Sequence, residues 1–167
     1  HIIGKATGAE ARGEQQISAL EKGLAAIRSR ASILKPTRVM FVVGRAPNRL
    51  DGLIVVGKAS YLNELITMAG GQNVFADAVA AYPQISLEEV LARNPEVIID
   101  FGDMGDATAV TEAHKREVVS VWQRATTLQA VKNHRIHPVA ADIFVVPGPR
   151  AVLATQAIFD LLHPALH

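Results

Sequence analysis

The first third of the chain carries apolar residues at intervals of three and four positions, with charged residues between them. The apolar positions are Ile17, Leu20, Leu24, Ile27, Ala31 and Leu34. This spacing is typical of a helix with one buried face. Thr7 and Glu10 fit a capping box at its start, and Lys35-Pro36 stops it because the residue before proline disfavours helical geometry. We expect one helix of about 25 residues, longer than the usual mean.

Further along, continuous apolar runs replace the helical spacing. Arg38–Gly44 and Glu96–Asp100 are two such runs, and Arg135–Val139 is a third candidate. Continuous runs are typical of strands covered on both faces, as in a parallel sheet. The intervening segments predict helices at Tyr61–Ala69, from Ser86 to Asn94, near 111–124, near 128–133 and from Pro149 to about Leu162. This alternation predicts an α/β fold: a three-layer, Rossmann-like arrangement with a mostly parallel sheet, preceded by the long helix.

In open parallel sheets, ligands bind beyond the carboxyl ends of the strands. The loops that leave those ends are predicted at 45–57, 101–109 and 140–148. Polar or aromatic residues on or near them are Arg45, Asn48, Arg49, Tyr82, Phe144 and Arg150. Exposed Arg and Asn are also common in loops that bind nothing, so residue type alone leaves binding and simple solvation equally open.

The amino-acid composition argues against several classes of function. The 167 residues are 49% hydrophobic and 20% charged, as expected for one globular domain. The net charge of +1 argues against a nucleic-acid partner. Without cysteine there is no disulfide, thiol nucleophile or cysteine-ligated metal. The start at His1-Ile2-Ile3-Gly4 suggests an internal part of a longer protein, so we expect any export signal to lie outside this sequence.

The stretch Gly52–Ala59 resembles a nucleotide-binding phosphate loop, because Gly52 is followed after four residues by Gly57-Lys58. A true phosphate loop has turn-forming residues between the glycines and Ser or Thr after the lysine. Here the intervening residues are apolar and β-prone, and Ala59 occupies the hydroxyl position. The sequence therefore argues against a phosphate loop. A Rossmann-like nucleotide-dependent enzyme remains the alternative from another functional class.

Acidic residues and histidines give no clear catalytic or metal site. Asp100, Asp103 and Asp106 are close in sequence, but their spacing is not that of a calcium-binding loop, and a solvated loop is the simpler interpretation. The histidines His134, His137, His163 and His167 show no pairing with a nucleophile. We expect no catalytic residues, no metal site and no cofactor.

Three stretches resemble one protein family: "YLNELITMAGGQNVFAD" (61–77), "YPQISLEEVLARNPEVIID" (82–100) and "GPRAVLATQAIFDLLHP" (148–164). They are similar to the C-terminal lobe of class III, helical-backbone periplasmic binding proteins of ABC importers for vitamin B12, haem and ferric siderophores. The resemblance implies that residues 1–35 are the interlobe helix with its approach, and residues 36–167 the C-terminal lobe. The N-terminal lobe is absent from this sequence.

The resemblance also implies a function and a site. A large nutrient would be held between two lobes, with a corrinoid as first choice and haem or a ferric siderophore as alternatives. The ligand-binding positions that it implies are Arg45, Asn48, Arg49, Leu50, Leu53, Tyr82, Asp142 and Phe144. Tyr82 falls where corrinoid-binding members carry a pocket aromatic, and flat aromatic rings suit macrocycles.

Further expectations concern partners and location. Glu88 matches an acidic residue that docks onto the membrane permease. We expect a periplasmic or extracellular protein, with lipid anchoring as an option. We also expect the isolated lobe to self-associate through an exposed apolar face made of Tyr82, Leu50, Leu53 and Phe144.

Overall fold

The computed structural model describes residues 10–102, 111–140, 142–144, 148 and 150–164, with side chains described from residue 13 onward. The helices are α1 (Glu10–Ala31), α2 (Tyr61–Met68), α3 (Leu87–Arg93), α4 (Glu112–Trp122), α5 (Gln129–Lys132) and α6 (Ala151–Leu162). The strands are β1 (Thr37–Gly44), β2 (Leu53–Val55), β3 (Gly71–Asn73), β4 (Gln84–Ile85), β5 (Val97–Asp100) and β6 (Ile136–Pro138).

All six of these strands belong to one sheet, ordered β4-β2-β1-β5-β6, with β3 also paired to β1. The pairings β1–β3, β1–β5 and β5–β6 are parallel. The pairings β1–β2 and β2–β4 are antiparallel. The predicted mostly parallel α/β sheet is confirmed, and β1 is its central strand.

Alternate residues of β1 face opposite sides of the sheet, because successive side chains of a strand point in opposite directions. Val39 and Phe41 belong to a core shared with α1, α2 and α6. Met40 and Val42 belong to a second core shared with α3, α4 and α5. All four side chains are fully buried. The sheet therefore lies between two helical layers, which confirms the three-layer prediction.

The predicted helix starts rest on side-chain caps in the structure. The Ser60 hydroxyl accepts a hydrogen bond from the amide of Leu62, and the Ser86 hydroxyl accepts one from the amide of Glu89. Thr111 caps α4 in the same way through the amide of His114. Such caps satisfy amides that lack a partner in the first helical turn. The predicted capping role of Thr7 and the position of Pro149 lie outside the described residues.

The three short strands β2, β3 and β4 were not predicted. Leu53–Val56 was expected to end a ligand-facing loop, and that expectation is wrong: β2 pairs with β1 on one side and β4 on the other. Strands of two or three residues are too short to show an alternating pattern. Their position depends on tertiary contacts, because β2 and β3 pair with β1 and β4 pairs with β2.

Helix α1 packs against α6 through a close contact at Gly23, where a Cβ atom would lie 3.0 Å from both methyl carbons of Val152. Ile27 and Ala31, further along α1, are buried in the core. Within the described part of the chain, no helix is long and apolar enough to cross a membrane. The expected division into an interlobe helix (1–35) and a lobe (36–167) stays a prediction.

Candidate functional site

The loop of residues 45–52 follows the carboxyl end of β1 and folds into a compact turn. The amide of Ala46 donates to the carbonyl of Asp51 over 3.0 Å, and the amide of Arg49 donates to the carbonyl of Ala46 over 3.2 Å. Asn48 has a positive φ of 55°, which Asn tolerates better than most residues. Arg124, which follows α4, donates to the Asn48 carbonyl over 3.2 Å. These hydrogen bonds hold the turn, which we call the braced turn. The side chains of Asn48 and Arg49 are exposed on it.

Arg45, at the base of this loop, points into the protein. It is only 3% exposed, and its Nε donates to Oδ2 of Asp100 over 3.1 Å. Both side chains of this ion pair are fully buried. The guanidinium is committed to Asp100 beneath the surface, and the expected direct ligand contact of Arg45 stays a prediction.

Asp100 is the acceptor for three donors from three parts of the chain. Besides Arg45, the indole Nε1 of Trp122 donates to Oδ2 over 2.6 Å, and the amide of Gly102 donates to Oδ1 over 2.6 Å. Glu117 approaches Arg45 at 3.7 Å between Oε1 and Nη2. We call Arg45, Asp100 and Trp122 the buried polar cluster. It ties the ends of β1 and β5 to α4.

On the opposite face of the sheet, aromatic rings join the loops that follow β5 and β6. The ring centroids of Phe41 and Phe101 are 5.1 Å apart, and those of Phe41 and Phe144 are 5.5 Å apart, both edge to face. Phe144 is 2% exposed. Its ring packs against Phe41 and Phe101, and its expected role at the ligand stays a prediction.

Leu50 and Leu53, also expected at the ligand, belong to the second core. Leu53 is fully buried and Leu50 is 9% exposed. The expected exposed apolar face of Tyr82, Leu50, Leu53 and Phe144 is therefore wrong, because three of its four members are core residues. The expected self-association through that face loses its basis.

Tyr82 lies in a segment, residues 78–83, that precedes β4 and packs on residues 55–58. We call it the Tyr82 segment. The amide of Gly57 donates to the carbonyl of Ala81 over 2.9 Å, and the amide of Val55 donates to the carbonyl of Pro83 over 3.0 Å. The carbonyls on both sides of Tyr82 are therefore held, while its side chain is 47% exposed. This geometry presents an aromatic ring from a fixed backbone.

Tyr61, the first residue of α2, lies near Tyr82. Its hydroxyl is buried and has no hydrogen-bond partner among the described residues. Burial raises the pKa of Tyr61, and the neighbouring Tyr82 raises it further. No local pattern predicts this pair, because the two tyrosines lie on different segments of the chain.

The other expected site residues are exposed. Asp142 lies in the turn after β6, and its Oδ1 accepts a hydrogen bond from the amide of Ile143 over 2.8 Å. Arg150 precedes α6 and is exposed. Glu88 is exposed in the first turn of α3, beside Glu89, whose carboxylate lies 3.5 Å from Nη2 of Arg93.

The structure also accounts for the motifs that resemble other sites. The amides of Gly57 and Lys58 donate to the carbonyls of Ala81 and Ala78, so they do not form an open cradle for a phosphate. Asp100 already accepts hydrogen bonds from three donors of the protein, whereas Asp103 and Asp106 lie outside the described residues. Among the residues that the structure describes, no group of three or more His, Asp or Glu side chains could hold a metal ion.

Two of the histidines have structural surroundings. The His163 ring lies 4.9 Å from Phe159 and hydrogen-bonds the Ala69 carbonyl over 3.1 Å. Burial lowers the pKa of His163, as it does the pKa of His137, where Arg135 lowers it further. Both rings are therefore favoured in the neutral form. The contacts of His163 with Phe159 and the Ala69 carbonyl are not those of a general base with a nucleophile.

Sequence reasoning missed the buried polar cluster, although one signal pointed to it. Asp100 ends the apolar run of β5, and a charged residue that ends a buried strand needs a partner within the protein. The partners, Arg45 and Trp122, are far from it in sequence. Only the packing of α4 on the sheet brings them together.

The chain matches the family described as "Periplasmic binding protein" over residues 1–140. A vitamin B12-binding protein of Pectobacterium atrosepticum is 32% identical over 149 residues, which cover 89% of this chain and 46% of that protein. The chain thus spans about half the length of the curated relatives it matches.

Two solved structures show the same fold. The periplasmic vitamin B12 binding protein of Vibrio cholerae has a TM-score of 0.68 at 26% identity, covering 87% of this chain and 51% of that one. The periplasmic haem-binding protein of Roseiflexus sp. RS-1, in its apo form, has a TM-score of 0.70 at 25% identity, covering 96% and 60%. With the sequence match over residues 1–140, these findings show that the chain belongs to the periplasmic binding protein family.

Proposed function

We propose that this chain is the C-terminal lobe of the substrate-binding component of an ABC importer, and that its ligand is a corrinoid. The observation that carries the proposal is the exposure of Tyr82. The chain has one Trp, two Tyr and five Phe. The Trp and all five Phe are buried, Tyr61 is half-buried, and Tyr82 is 47% exposed. An exposed ring on a fixed backbone is suited to stacking on a flat macrocycle.

Exposed polar groups on the loops after β1 and β6 support this proposal. Asn48 and Arg49 are exposed on the braced turn after β1, and Asp142 is exposed after β6. An amide, a guanidinium and a carboxylate together match the amide, hydroxyl and phosphate groups that surround a corrin ring. Beneath these loops, four other residues of the predicted site act as support: Arg45, Leu50, Leu53 and Phe144. A relative named vitamin B12-binding protein at 32% identity favours the same ligand class.

Haem and ferric siderophores are the alternatives within this function. A tyrosine phenolate is one of the axial ligands that proteins use for haem iron, and Tyr82 is an exposed tyrosine. Anionic siderophores favour clusters of arginine. Of the three arginines on or near the predicted loops, Arg45 is buried and Arg49 and Arg150 are exposed. The smaller number of exposed arginines weakens the siderophore alternative.

Titration distinguishes these ligands. We expect the protein with its N-terminal lobe in place to bind cyanocobalamin with a Kd of about 1 µM or tighter, measured by isothermal calorimetry. We expect hemin and ferric hydroxamates to bind at least about ten-fold more weakly. The 167-residue chain alone provides a matched comparison, and we expect it to bind about 100-fold more weakly because half of the contacts are missing. Equal affinity in the two forms would contradict the two-lobe proposal, and absence of binding to all three ligands would contradict the importer proposal.

We further propose that Glu88 docks onto basic residues of the permease. Glu88 is exposed in the first turn of α3, a short helix held by its Ser86 cap, and this gives a carboxylate on a rigid support. The location that follows from this function is the periplasm, with a lipid anchor as a further proposal. The proposed role is capture and delivery, without catalysis.

Substitution of Glu88 tests the docking proposal. In a reconstituted importer, Glu88→Ala is expected to raise the apparent Kd of the binding protein for its permease about ten-fold, because a charged pair across the interface is lost. Ligand affinity is expected to stay unchanged. Glu89→Ala, one residue along the same helical turn, is the matched control. Equal effects of the two substitutions would show that only the general negative charge of this turn matters.

A further inference from the structure

Gly57 lies where two backbone segments come unusually close. A Cβ atom at this position would lie 2.1 Å from the carbonyl oxygen of Ala80 and 2.8 Å from Cδ of Pro83. Real Cβ atoms essentially never approach another heavy atom below 3.0 Å. The nearest obstacle is a backbone atom, so no side-chain rotation can relieve the contact. Glycine is therefore required at position 57, because there is no room for a Cβ atom.

The same contact surface holds the Tyr82 segment in place. Three amides of residues 55–58 donate to it: Val55 to Pro83 over 3.0 Å, Gly57 to Ala81 over 2.9 Å and Lys58 to Ala78 over 2.9 Å. The amide of Val56, between them, points the other way and donates to Phe41 of β1 over 2.9 Å. The Tyr82 segment therefore lies flat on the Gly57 backbone, and β1 supports that backbone from behind.

We propose that Gly57 is the positioning residue of Tyr82: its missing side chain sets how closely the Tyr82 segment packs on the sheet and thus where the exposed ring stands. This inference rests on the proposed function in one respect, namely that Tyr82 contacts the ligand. It also gives the glycine of the apparent phosphate loop a role, since Gly57 receives a backbone segment rather than a phosphate.

Substitution of Gly57 by Ala is expected to move the Tyr82 segment by about 1 Å, because the Cβ–oxygen distance must open from 2.1 Å to at least 3.0 Å. The segment is at the surface, and Val79, its second residue, is 83% exposed. The movement therefore leaves both cores intact. The ring of Tyr82 moves with its backbone, and a recognition group displaced by this distance loses its fit.

Amide hydrogen exchange of the 167-residue chain tests the structural half of the proposal without any ligand. In Gly57→Ala, the amides of residues 57 and 58 are expected to exchange at least about ten-fold faster, because their acceptors have moved away. The amide of Val56 is the internal control and should keep its protection, since its acceptor lies on β1. Gly71→Ala is the control for general destabilisation, because a Cβ there meets Ile66 and Leu162 in the core. It is expected to raise exchange throughout the core.

A double-mutant cycle with cyanocobalamin, on the protein with both lobes, tests the functional half. Gly57→Ala alone is expected to weaken binding about ten-fold. In a Tyr82→Ala background the same substitution is expected to change affinity less than about two-fold, because it acts only through Tyr82. A merely structural role of Gly57 would give the same loss in both backgrounds.

Two results would overturn the inference. One is unchanged exchange of the amides at positions 57 and 58. The other is a loss of affinity on Gly57→Ala that persists in the Tyr82→Ala background. If the unsubstituted protein binds no cyanocobalamin, the corrinoid proposal fails instead, and the exchange data still decide whether Gly57 positions the Tyr82 segment.

Discussion

Replacement of Asp100 by Asn is expected to lower the free energy of unfolding by about 3–5 kcal/mol, the usual cost of removing one partner of a buried ion pair. Asp100 is fully buried and receives hydrogen bonds from Arg45, Trp122 and the Gly102 amide. Asn keeps nearly the same shape but leaves the Arg45 cation with only the longer contact to Glu117, 3.7 Å between Nη2 and Oε1, in place of its buried counter-charge. Urea denaturation followed by far-UV circular dichroism measures the loss.

Asp77→Asn is the matched control for this substitution. Asp77 also pairs with an arginine, over 2.7 Å to Nη1 of Arg93, but 66% of its side chain is exposed. The hydrogen bond from Arg93 lowers the pKa of Asp77. Since exposed ion pairs contribute little, a far smaller loss of stability is expected. Comparable losses from the two substitutions would contradict the importance of burial.

A second variant separates charge from packing in the buried polar cluster. Adding Arg45→Met to Asp100→Asn removes the buried cation while keeping a long apolar side chain at this position. We expect the double variant to be at least as stable as Asp100→Asn alone, since replacing buried charges by apolar groups is often neutral or stabilising. A further large loss would show that Arg45 stabilises the protein mainly through packing.

Replacement of Tyr82 by Ala is expected to weaken binding of cyanocobalamin by the two-lobed protein about 10- to 100-fold, because aromatic anchors dominate the energy of many interfaces. Stability should change by less than about 0.5 kcal/mol, as is usual for exposed positions, since the Tyr82 side chain is 47% exposed. Calorimetric titration and urea denaturation of the same samples measure both quantities. Unchanged affinity would remove the main support for the corrinoid proposal.

Tyr82→Phe sharpens this test because it keeps the ring and removes the hydroxyl. If the ring stacks on a corrin, Phe should retain affinity within about three-fold, since stacking depends on the aromatic surface. If the phenol ligates haem iron, Phe should lose haem binding as strongly as Ala does, with a shift of the haem absorption band. The two ligands therefore predict opposite results for one substitution.

Much of the fold could be predicted from local signals. The caps at Ser60, Ser86 and Thr111, the stripe of α1 and the apolar runs of β1 and β5 are short-range patterns, and each predicted element is present. The strands β2 and β4 were missed because they depend on pairing between distant segments, β2 with β1 and β4 with β2. Residue type alone cannot distinguish Leu53 in a short strand from Leu53 in a ligand-facing loop.

The site was predicted less completely than the fold. Asn48, Arg49, Tyr82 and Asp142 are exposed as expected, and their contact with a ligand stays a prediction. Arg45 and Phe144 were expected beside them and are buried instead. An arginine or phenylalanine after a strand can point outward or inward. Which direction it takes depends on partners such as Asp100 and Phe41, which its local sequence does not identify.

The sequence by itself determined the order of the elements, the α/β class and the family to which the chain belongs, because these depend on periodicity, caps and motifs of neighbouring residues. Only the tertiary structure decided which loop residues support the candidate site and which present themselves to a ligand. It also decided the structural role of Gly57, whose local sequence resembles a phosphate loop. Its role follows from the backbone of residues 78–83, which packs where a side chain would otherwise lie. Close approach between distant segments is a property of the folded chain, and the local pattern around a glycine does not reveal it.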